Sequence, residues 1–286
     1  MADFRRKPDW LKIKLPRGVK AAHDVGLLNK HCLHTICSSG MCPNKGECWG
    51  NGTATFMIGG SICTRSCKFC NVATGKPKPL DPSEISNIVT SVKELKLRHV
   101  VITSVDRDDL PDGGASHWAD MIRTLKKECP GVTMEVLIPD FKGNLGLVDR
   151  IIAEKPDVIS HNLETVRRLS PEVRCNATYS RSLEVLEHIA KSGIRTKSGI
   201  MLGLGETRDE ILETMDDLLS AGVEVMTIGQ YLQPTEDHYP VQDYIHPDIF
   251  AEYGVIGKEK GFVHIESSPL VRSSYHAERH VRTDIK

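Results

Sequence analysis

Residues 53–70 read TATFMIGGSICTRSCKFC, and this stretch decides how the rest of the chain folds. Its first six residues are apolar or β-branched, which is typical of a buried strand. Two glycines and a loop with three cysteines follow, separated by three and then two residues: Cys63, Cys67 and Cys70. Three thiolates on one short loop can converge on three corners of an iron–sulfur cube. No fourth cysteine follows closely, so the sequence predicts that one iron of the cube has no cysteine ligand and is free to bind a reacting molecule.

A second group of three cysteines precedes this loop, with gaps of four and five residues: Cys37, Cys42 and Cys48. Residues 1–10 contain three basic residues and no apolar stretch behind them, so we expect a cytoplasmic chain rather than an exported one. Clustered cysteines there more often bind metal or catalyse than form disulfides. Structural zinc is the alternative, although zinc sites usually combine two Cys-x-x-Cys pairs, or one pair with histidines. Cys32, Cys129 and Cys175 fit neither group and are given no role.

The bulk composition is that of an ordinary enzyme. The chain has 286 residues, of which 40% are hydrophobic, and a formal net charge of −1. A chain of this length can bury about three-quarters of its unfolded surface. Lys and Arg (37) balance Asp and Glu (38), so no global charge favours a nucleic-acid partner. No run of about 18 apolar residues occurs, so a membrane partner is not expected either.

Strand-like apolar runs alternate with amphipathic helical patterns after the cysteines. The predicted strands are 53–58, 99–105, 133–138, 157–161, 195–202 and 223–232, and the predicted helices are about 82–96, 116–129, 144–154, 180–192 and 207–221. Asp81 is the expected N-cap of the first helix, and residues 207–210 predict a capping box. Gly193 and Gly222 stand where helices should stop. Repeated βαβ units predict a parallel sheet, either doubly wound or curved into a partial barrel.

Polar residues cluster where the predicted strands end. Both candidate folds bind ligands at the carboxyl ends of their strands. An acidic, glycine-rich loop begins at Asp106, Asn162 and Glu164 follow the fourth strand, and Glu206 follows the fifth. No Gly-x-Gly-x-x-Gly follows the first strand, so a Rossmann dinucleotide site is not predicted. The functional rim is therefore expected at this edge of the sheet.

A Cys-x3-Cys-x2-Cys loop after the first strand resembles the radical S-adenosylmethionine superfamily. The resemblance implies a 4Fe–4S cluster on Cys63, Cys67 and Cys70, whose open iron binds S-adenosylmethionine and whose reduced form yields a 5′-deoxyadenosyl radical. It also implies an α/β fold, a partial (β/α)6 TIM-like barrel of parallel strands with an N-terminal cysteine-rich extension and a C-terminal extension. The expected boundaries are 1–50, 51–260 and 261–286, the last segment closing the auxiliary cluster site.

Several segments also resemble the lipoyl synthase family. They are the first cysteine triplet, residues 106–110, 197–206 and 230–234, and Arg272-Ser273-Ser274-Tyr275. The resemblance implies an auxiliary 4Fe–4S cluster on Cys37, Cys42 and Cys48, with Ser274 as its remaining ligand and Ser273 as the alternative. That cluster is consumed as it donates two sulfur atoms to the sixth and eighth carbons of an octanoyl group carried on a protein lysine.

The same resemblance implies partner proteins. The acyl carriers would be octanoylated lipoyl domains or the glycine cleavage H protein. The electron donor would be a flavodoxin or a ferredoxin, and iron–sulfur carrier proteins would supply the clusters. A different two-cluster radical enzyme, such as one like biotin synthase, and a non-catalytic metal-binding protein are the alternative functions.

Further residues are candidate cofactor contacts, and each has a structural alternative. Asp106 and Arg107 bind S-adenosylmethionine or the carrier region, or form a self-capped turn. Lys197 and Ser198 face the cofactor or belong to polar core packing. Glu206 binds the cofactor's ribose or amino group, or begins a helix. Arg272 orients the serine loop or contacts a cluster sulfide, or makes a surface ion pair, and Phe69 is either part of the cofactor site or simple packing.

Overall fold

A computed structural model describes residues 6–11, 42 and 44–282. Cys32 and Cys37 lie outside the described residues. The strands in the described part are β1 Thr53–Ile58, β2 Ile62–Cys63, β3 Ala73–Thr74, β4 His99–Ser104, β5 Thr133–Leu137, β6 Val158–Ser160, β7 Arg195–Leu202, β8 Val225–Gln230 and β9 His264–Ser267. The short β2 and β3 pair with each other on either side of the second cysteine triplet.

The remaining seven strands form one parallel sheet in the order β1-β4-β5-β6-β7-β8-β9. Each strand of this sheet lies beside the next one along the chain. A doubly wound sheet would reverse its order at a switch point, so this winding is that of a barrel. β1 and β9 are the two edges, and the barrel is open between them. The predicted partial barrel is confirmed, with β9 as a strand that the sequence patterns did not predict.

In the part of the chain that the structure describes, one helix precedes the first strand, and the others connect successive strands. They are α1 Lys45–Gly50, α2 Glu84–Glu94, α3 Ala115–Glu128, α4 Leu145–Ala153, α5 Ser170–Val173, α6 Tyr179–Lys191, α7 Arg208–Ser220 and α8 Pro247–Lys260. Short 3₁₀ turns occur at Asp9–Leu11, Phe141–Gly143 and Ala277–His280. Helix α8 was not predicted. Within the described residues, no helix combines the length and apolar character that crossing a bilayer requires.

The helix boundaries test the capping predictions. Thr207 and Glu210 form the predicted capping box of α7. Gly193 and Gly222 both have φ of 79°, a left-handed conformation that ends a helix and favours glycine. The prediction for Asp81 is wrong, because α2 begins at Glu84 with Ser83 as its N-cap. The Asp81 carboxylate instead accepts hydrogen bonds from the Ser83 amide and hydroxyl at 2.8 and 2.7 Å and shapes the turn before the helix.

The two faces of the sheet differ in chemistry. One face packs its apolar side chains, such as Phe56 and Ile102, against the helices. Polar side chains alternate with them and are also buried: Thr55, His99, Glu135, Ser160, Lys197 and Thr227. Lys197 Nζ lies 2.9 and 2.8 Å from the two carboxylate oxygens of Glu135. The barrel therefore has an apolar outside and a polar inside.

Residues 268–282, the C-terminal strap, contact strands from both edges of the sheet. At one edge, Thr53 of β1 donates to Glu278 at 3.1 Å. At the other edge, the ring centroids of His280 and of His264 in β9 are 5.8 Å apart, and the amide of Gln230 in the neighbouring β8 donates to Pro269 O at 3.2 Å. Asn44, just before α1, donates to Leu270 O at 2.7 Å. The strap thus bridges the gap between β1 and β9. Strand β9 falls inside the predicted 261–286 segment, and its pairing with β8 makes it part of the sheet.

Candidate active site

The loop with Cys63, Cys67 and Cys70 lies directly after β1, at the carboxyl edge of the sheet, as predicted. The Cys63 sulfur accepts hydrogen bonds from the amides of Arg65 and Asp106 at 3.4 and 3.3 Å. Burial raises the pKa of Cys63, and raises that of Cys70 to about 11, so binding of a metal must displace protons from these thiols. Three sulfur donors on one loop, with amide donors already directed at one of them, fit an iron–sulfur cluster.

Two glycines orient this loop as it leaves β1. Gly59 and Gly60 have φ of 81° and 95°, which a side chain would oppose. Their amides donate to the Glu84 carboxylate at 2.9 and 3.2 Å. Glu84 is also 2.6 Å from Nε2 of His117. The start of α2 therefore holds the turn that leads into the cysteines.

Arg65, inside the cysteine loop, is a site residue that the sequence patterns did not single out. Its guanidinium is 5% exposed and pairs with three carboxylates: Asp108 at 2.8 Å, Asp140 at 2.8 Å and Asp106 at 3.3 Å. Asp140 is fully buried, and burial opposes its ionisation, but the charges of Arg65 and His161 together with hydrogen bonds from Arg65 and the Lys142 amide lower its pKa. Asp140 comes two residues after the third predicted strand, 133–138, so the strand-end rule that selected Asp106 would also have found it.

The loop beginning at Asp106 joins the cysteine loop, but its two predicted contacts differ in role. Asp106 Oδ2 lies 3.7 Å from the Cys63 sulfur, and burial raises the pKa of the Asp106 carboxyl. Arg107 is 4% exposed and turns back into its own loop. It donates to Asp109 at 2.9 Å and to Gly59 O at 3.0 Å. The geometry of Arg107 favours the structural alternative of a loop that organises itself.

The other predicted cofactor contacts also have protein partners. Lys197 points into the barrel as expected, but its ammonium is fully buried against Glu135. Ser198 Oγ accepts from the Leu163 amide at 3.3 Å. Glu206 accepts from the Leu204 amide at 2.9 Å, and burial raises its pKa. Phe69 packs against the apolar core beside β7 and β8. Direct contact of these residues with a cofactor stays a prediction.

A polar group at the end of β6 is a better candidate for contact with a ligand than Lys197, Ser198 or Glu206, because it contains a buried acceptor that is unpaired among the described residues. Asn162 is 8% exposed, and its Oδ1 has no hydrogen-bond partner among the described residues. Its Nδ2 donates to Glu164 at 3.2 Å, and burial raises the pKa of Glu164. Arg174, which the sequence patterns missed, is also buried, and its carbonyl accepts from the Cys67 thiol at 3.4 Å. An unsatisfied buried acceptor beside the cysteine loop suits a polar cofactor such as S-adenosylmethionine.

A second cleft, of about 270 Å³ including its open mouth, lies between α1, β1 and the strap. Its lining residues are Cys42, Asn44, Lys45, Cys48, Thr53, Thr55, Arg272, Ser274 and Tyr275. The structure thus brings two of the first-triplet cysteines to the serine that the family motif assigned. Ser273 is not among the lining residues. Two thiols and a hydroxyl around one space are a donor set that suits iron.

Arg272 holds the serine turn in place. Its Nη1 donates to Val271 O at 2.7 Å and to Gln230 O at 3.4 Å. Burial lowers the pKa of Arg272, against the opposing effect of Cys42. These contacts support the prediction that Arg272 orients the serine loop. Tyr275 adds a hydrogen bond from its hydroxyl to Glu47 of α1 at 3.2 Å.

The chain matches the model of the Radical SAM superfamily over residues 57–218. Solved structures share the fold. Streptococcus suis SuiB bound to S-adenosylmethionine aligns with a TM-score of 0.59 at 13% identity, covering 86% of this chain and 54% of that one. Methylornithine synthase (PylB) aligns with a TM-score of 0.55 at 12% identity, covering 85% and 81%. The chain belongs to the radical S-adenosylmethionine superfamily, whose chemistry uses a 4Fe–4S cluster and S-adenosylmethionine.

Sequence relatives narrow the assignment. The lipoyl synthase of Bacteroides thetaiotaomicron is 61% identical over 282 residues, covering 99% of this chain and 100% of the relative. That of Treponema denticola is 64% identical over 277 residues, covering 97% and 96%. The chain belongs to the lipoyl synthase family, the radical sulfurtransferases that insert sulfur into a protein-bound octanoyl group. Membership sets aside both a different two-cluster enzyme and a non-catalytic metal-binding protein.

Proposed function

We propose that the two sites divide the reaction between them. Cys63, Cys67 and Cys70 hold the cluster that cleaves S-adenosylmethionine, with Asn162 and Asp106 at its edge. Cys37, Cys42, Cys48 and Ser274 hold an auxiliary 4Fe–4S cluster, which is consumed. The observation that carries this proposal is the second cleft, where Cys42, Cys48 and Ser274 line one space although the chain separates them widely.

The donor types fit the two roles. When bound, the first cluster supplies hydrogen abstraction through S-adenosylmethionine, and the second supplies sulfide. Iron–sulfur clusters are held mainly by thiolates, and a serine oxygen is a harder ligand than they usually have. A corner held by Ser274 is therefore expected to release more readily than one held by cysteine.

Strand β1 sets the distance between the sites. Thr53 and Thr55 line the second cleft, and the cysteine loop leaves β1 after Ile58. Because a strand rises about 3.3 Å per residue, its six residues separate the two sites by roughly 20 Å or less. We place the octanoyl group between the two sites, so that its sixth and eighth carbons face both. The strap closes this space, orients the chain and excludes water.

On the basis of the family we also propose specific partner proteins. The octanoyl group is presented on a lysine of a lipoyl domain or of the glycine cleavage H protein, and sulfur enters at its sixth and eighth carbons. A flavodoxin or ferredoxin delivers electrons, and iron–sulfur carrier proteins rebuild the auxiliary cluster in the cytoplasm. Arg107, Lys197, Ser198, Glu206 and Phe69 act by holding the walls of the first site, as their protein contacts favour.

A pair of cysteine variants tests the division of labour. Cys42→Ala should abolish formation of the sulfur-containing ring while keeping some cleavage of S-adenosylmethionine, because only the auxiliary cluster is lost. Cys67→Ala should stop both activities. Both are measured by mass spectrometry of the carrier and by release of 5′-deoxyadenosine after anaerobic reconstitution. Cys129→Ala, outside both groups, should keep both activities. Equal loss of both activities in the Cys42 and Cys67 variants would contradict the proposal.

A further inference from the structure

The strap passes unusually close to β8 at Gly229. A Cβ on this residue would lie 2.2 Å from Val271 O and 3.1 Å from Val271 C, and 3.6 Å from Nη1 of Arg272. Contacts near 2.2 Å with a backbone atom are not tolerated, since the backbone cannot rotate away as a flexible side chain does. The backbone of Gly229 is not in the left-handed region, so glycine is needed here for the close approach and not for its conformation.

Hydrogen bonds fix the strap at the same point. The Gln230 amide donates to Pro269 O at 3.2 Å, and Arg272 donates to both Gln230 O and Val271 O. Ser274 follows Val271 by three residues, a stretch that spans at most about 10 Å. A displacement of the Val271 carbonyl is therefore transmitted to the serine, because this short stretch has little slack to absorb it.

We propose that Gly229 is a positioning residue for the second cleft. Its missing side chain lets the Val271–Arg272 peptide lie directly on β8, and this contact holds Ser274 towards Cys42 and Cys48. The inference rests on the proposed role of Ser274 as an auxiliary ligand. It adds a residue that touches neither cluster nor substrate and acts only through the path of the strap.

Gly229→Ala is the direct test. We expect the ratio of product to cleaved S-adenosylmethionine to fall by about a hundredfold, since a misplacement on the order of 1 Å at a reacting group has that effect. Cleavage itself should continue. Two readouts do not depend on activity: amide hydrogen exchange of residues 269–276 should speed up, and iron bound by a Cys63→Ala/Cys67→Ala/Cys70→Ala background should drop when Gly229→Ala is added.

Gly222→Ala is the matched control. It strains a residue with φ of 79° and brings a Cβ to 2.7 Å from that of Ala190, and none of residues 269–276 is among the atoms that this Cβ would meet. It should lower the melting temperature yet keep normal exchange at 269–276 and normal auxiliary iron. If Gly222→Ala lost auxiliary iron to the same degree as Gly229→Ala, general instability would explain both and the inference would be overturned.

Ser274→Ala separates this inference from the proposed function. Unchanged auxiliary iron and product in Ser274→Ala would refute the ligand role itself. Impaired iron binding and product formation in Ser274→Ala, together with normal exchange, iron and product in Gly229→Ala, would refute only the positioning role.

If Gly229→Ala yields no folded protein, Arg272→Lys is the variant that tests the inference, because it weakens the anchor of the strap on β8 without crowding it. Faster exchange at 269–276 with reduced auxiliary iron supports the inference, and unchanged values overturn it.

Discussion

The two candidate cluster sites are built in opposite ways. The first uses one loop, residues 63–70, whose position is fixed by a buried guanidinium and three carboxylates. The second joins residues 42–48 to residues 270–275, and the hydrogen bonds of Asn44 to Leu270 and of Tyr275 to Glu47 span 226 and 228 positions in the chain. A site on one loop stays together as long as that loop is folded. A site made of two distant segments opens whenever one segment moves.

The contacts that hold each site differ in strength. Breaking a buried ion pair by removing one partner typically costs about 3–5 kcal/mol, whereas a single neutral hydrogen bond contributes about 1 kcal/mol. Arg65 belongs to the first kind, and the bond from Asn44 to Leu270 belongs to the second. The bond from Tyr275 has the Glu47 carboxylate as its acceptor, but it is exposed to solvent, which weakens it. We infer that the second site opens more readily, which suits the proposed role of its cluster as a sulfur source that is consumed and replaced.

The largest expected effect concerns the first site. Arg65→Met leaves buried carboxylates without their counter-charge, so the free energy of unfolding should fall by about 3–5 kcal/mol. Urea unfolding and the iron content of the cysteine loop measure this. Lys93→Met is the control, since the Lys93–Glu128 pair is 50% and 42% exposed and such pairs contribute about 0.5 kcal/mol. Similar losses in both variants would mean that the Arg65 network does not stabilise the site.

A smaller loss of folding stability is expected when the pH is lowered, because of His280 in the strap. His280 is fully buried, and neither ring nitrogen has a hydrogen-bond partner among the described residues. Burial lowers the pKa of His280 to about 2, and the nearby Lys197, His264, His99 and His276 act in the same direction. Below about pH 6.5 the unfolded chain binds a proton that the folded chain refuses, so stability falls by up to about 1.4 kcal/mol per pH unit.

His280→Phe should remove this part of the pH dependence. Urea unfolding between pH 7.5 and 5.5 gives the slope of stability against pH for each variant. His99 and His161, whose pKa values burial lowers to about 3 and about 4, keep their own contribution in both proteins. Identical slopes for the two proteins would show that His280 is not held neutral in the folded state.

The smallest effect separates stability from function at the second site. Asn44→Ala removes the 2.7 Å bond to Leu270 O and should cost about 1 kcal/mol. We expect a several-fold lower ratio of product to cleaved S-adenosylmethionine, because the strap is less firmly docked. Thr207→Ala, which loses the helix cap of α7 and is not among the residues that line the second cleft, should cost a similar 1 kcal/mol or so and leave that ratio unchanged. A changed ratio in the Thr207 variant would attribute both effects to stability.

Buried strands were predictable because each presents an apolar run to the helices. The exceptions have physical causes. Every residue of β9 is half-exposed, so His264–Ser267 shows neither an apolar run nor an alternation. Helix α8 carries Gly254 and Gly257, which weaken a helical pattern. Its start was readable, since His246 caps it and Pro247 occupies the first position, a placement that proline favours.

The two candidate sites differ in how many of their residues the sequence alone could assign. The spacing of Cys63, Cys67 and Cys70 is local and indicates a cluster without further information. The meeting of Cys42 with Ser274 came only from the family resemblance, because no local pattern encodes a contact across most of the chain. The sequence patterns identified charged residues near strand ends, but they did not identify the residues with which these form ion pairs. Lys197 pairs with Glu135, 62 positions away, which depends on how the strands are arranged in space. Arg107 pairs with Asp109 inside its own loop, and this contact depends on the path of that loop.

Because the strap comprises residues 268–282, the second cleft can form only late in synthesis of the chain. A ribosome completes Cys70 about 200 residues before it reaches Val271, which takes roughly 10–40 s at about 5–20 residues per second. During this time a nascent chain can display the first cysteine loop while the second cleft still lacks one wall. The second cleft can therefore be completed only after residues 272–275 are synthesised, when Arg272, Ser274 and Tyr275 join the cysteine side of the cleft.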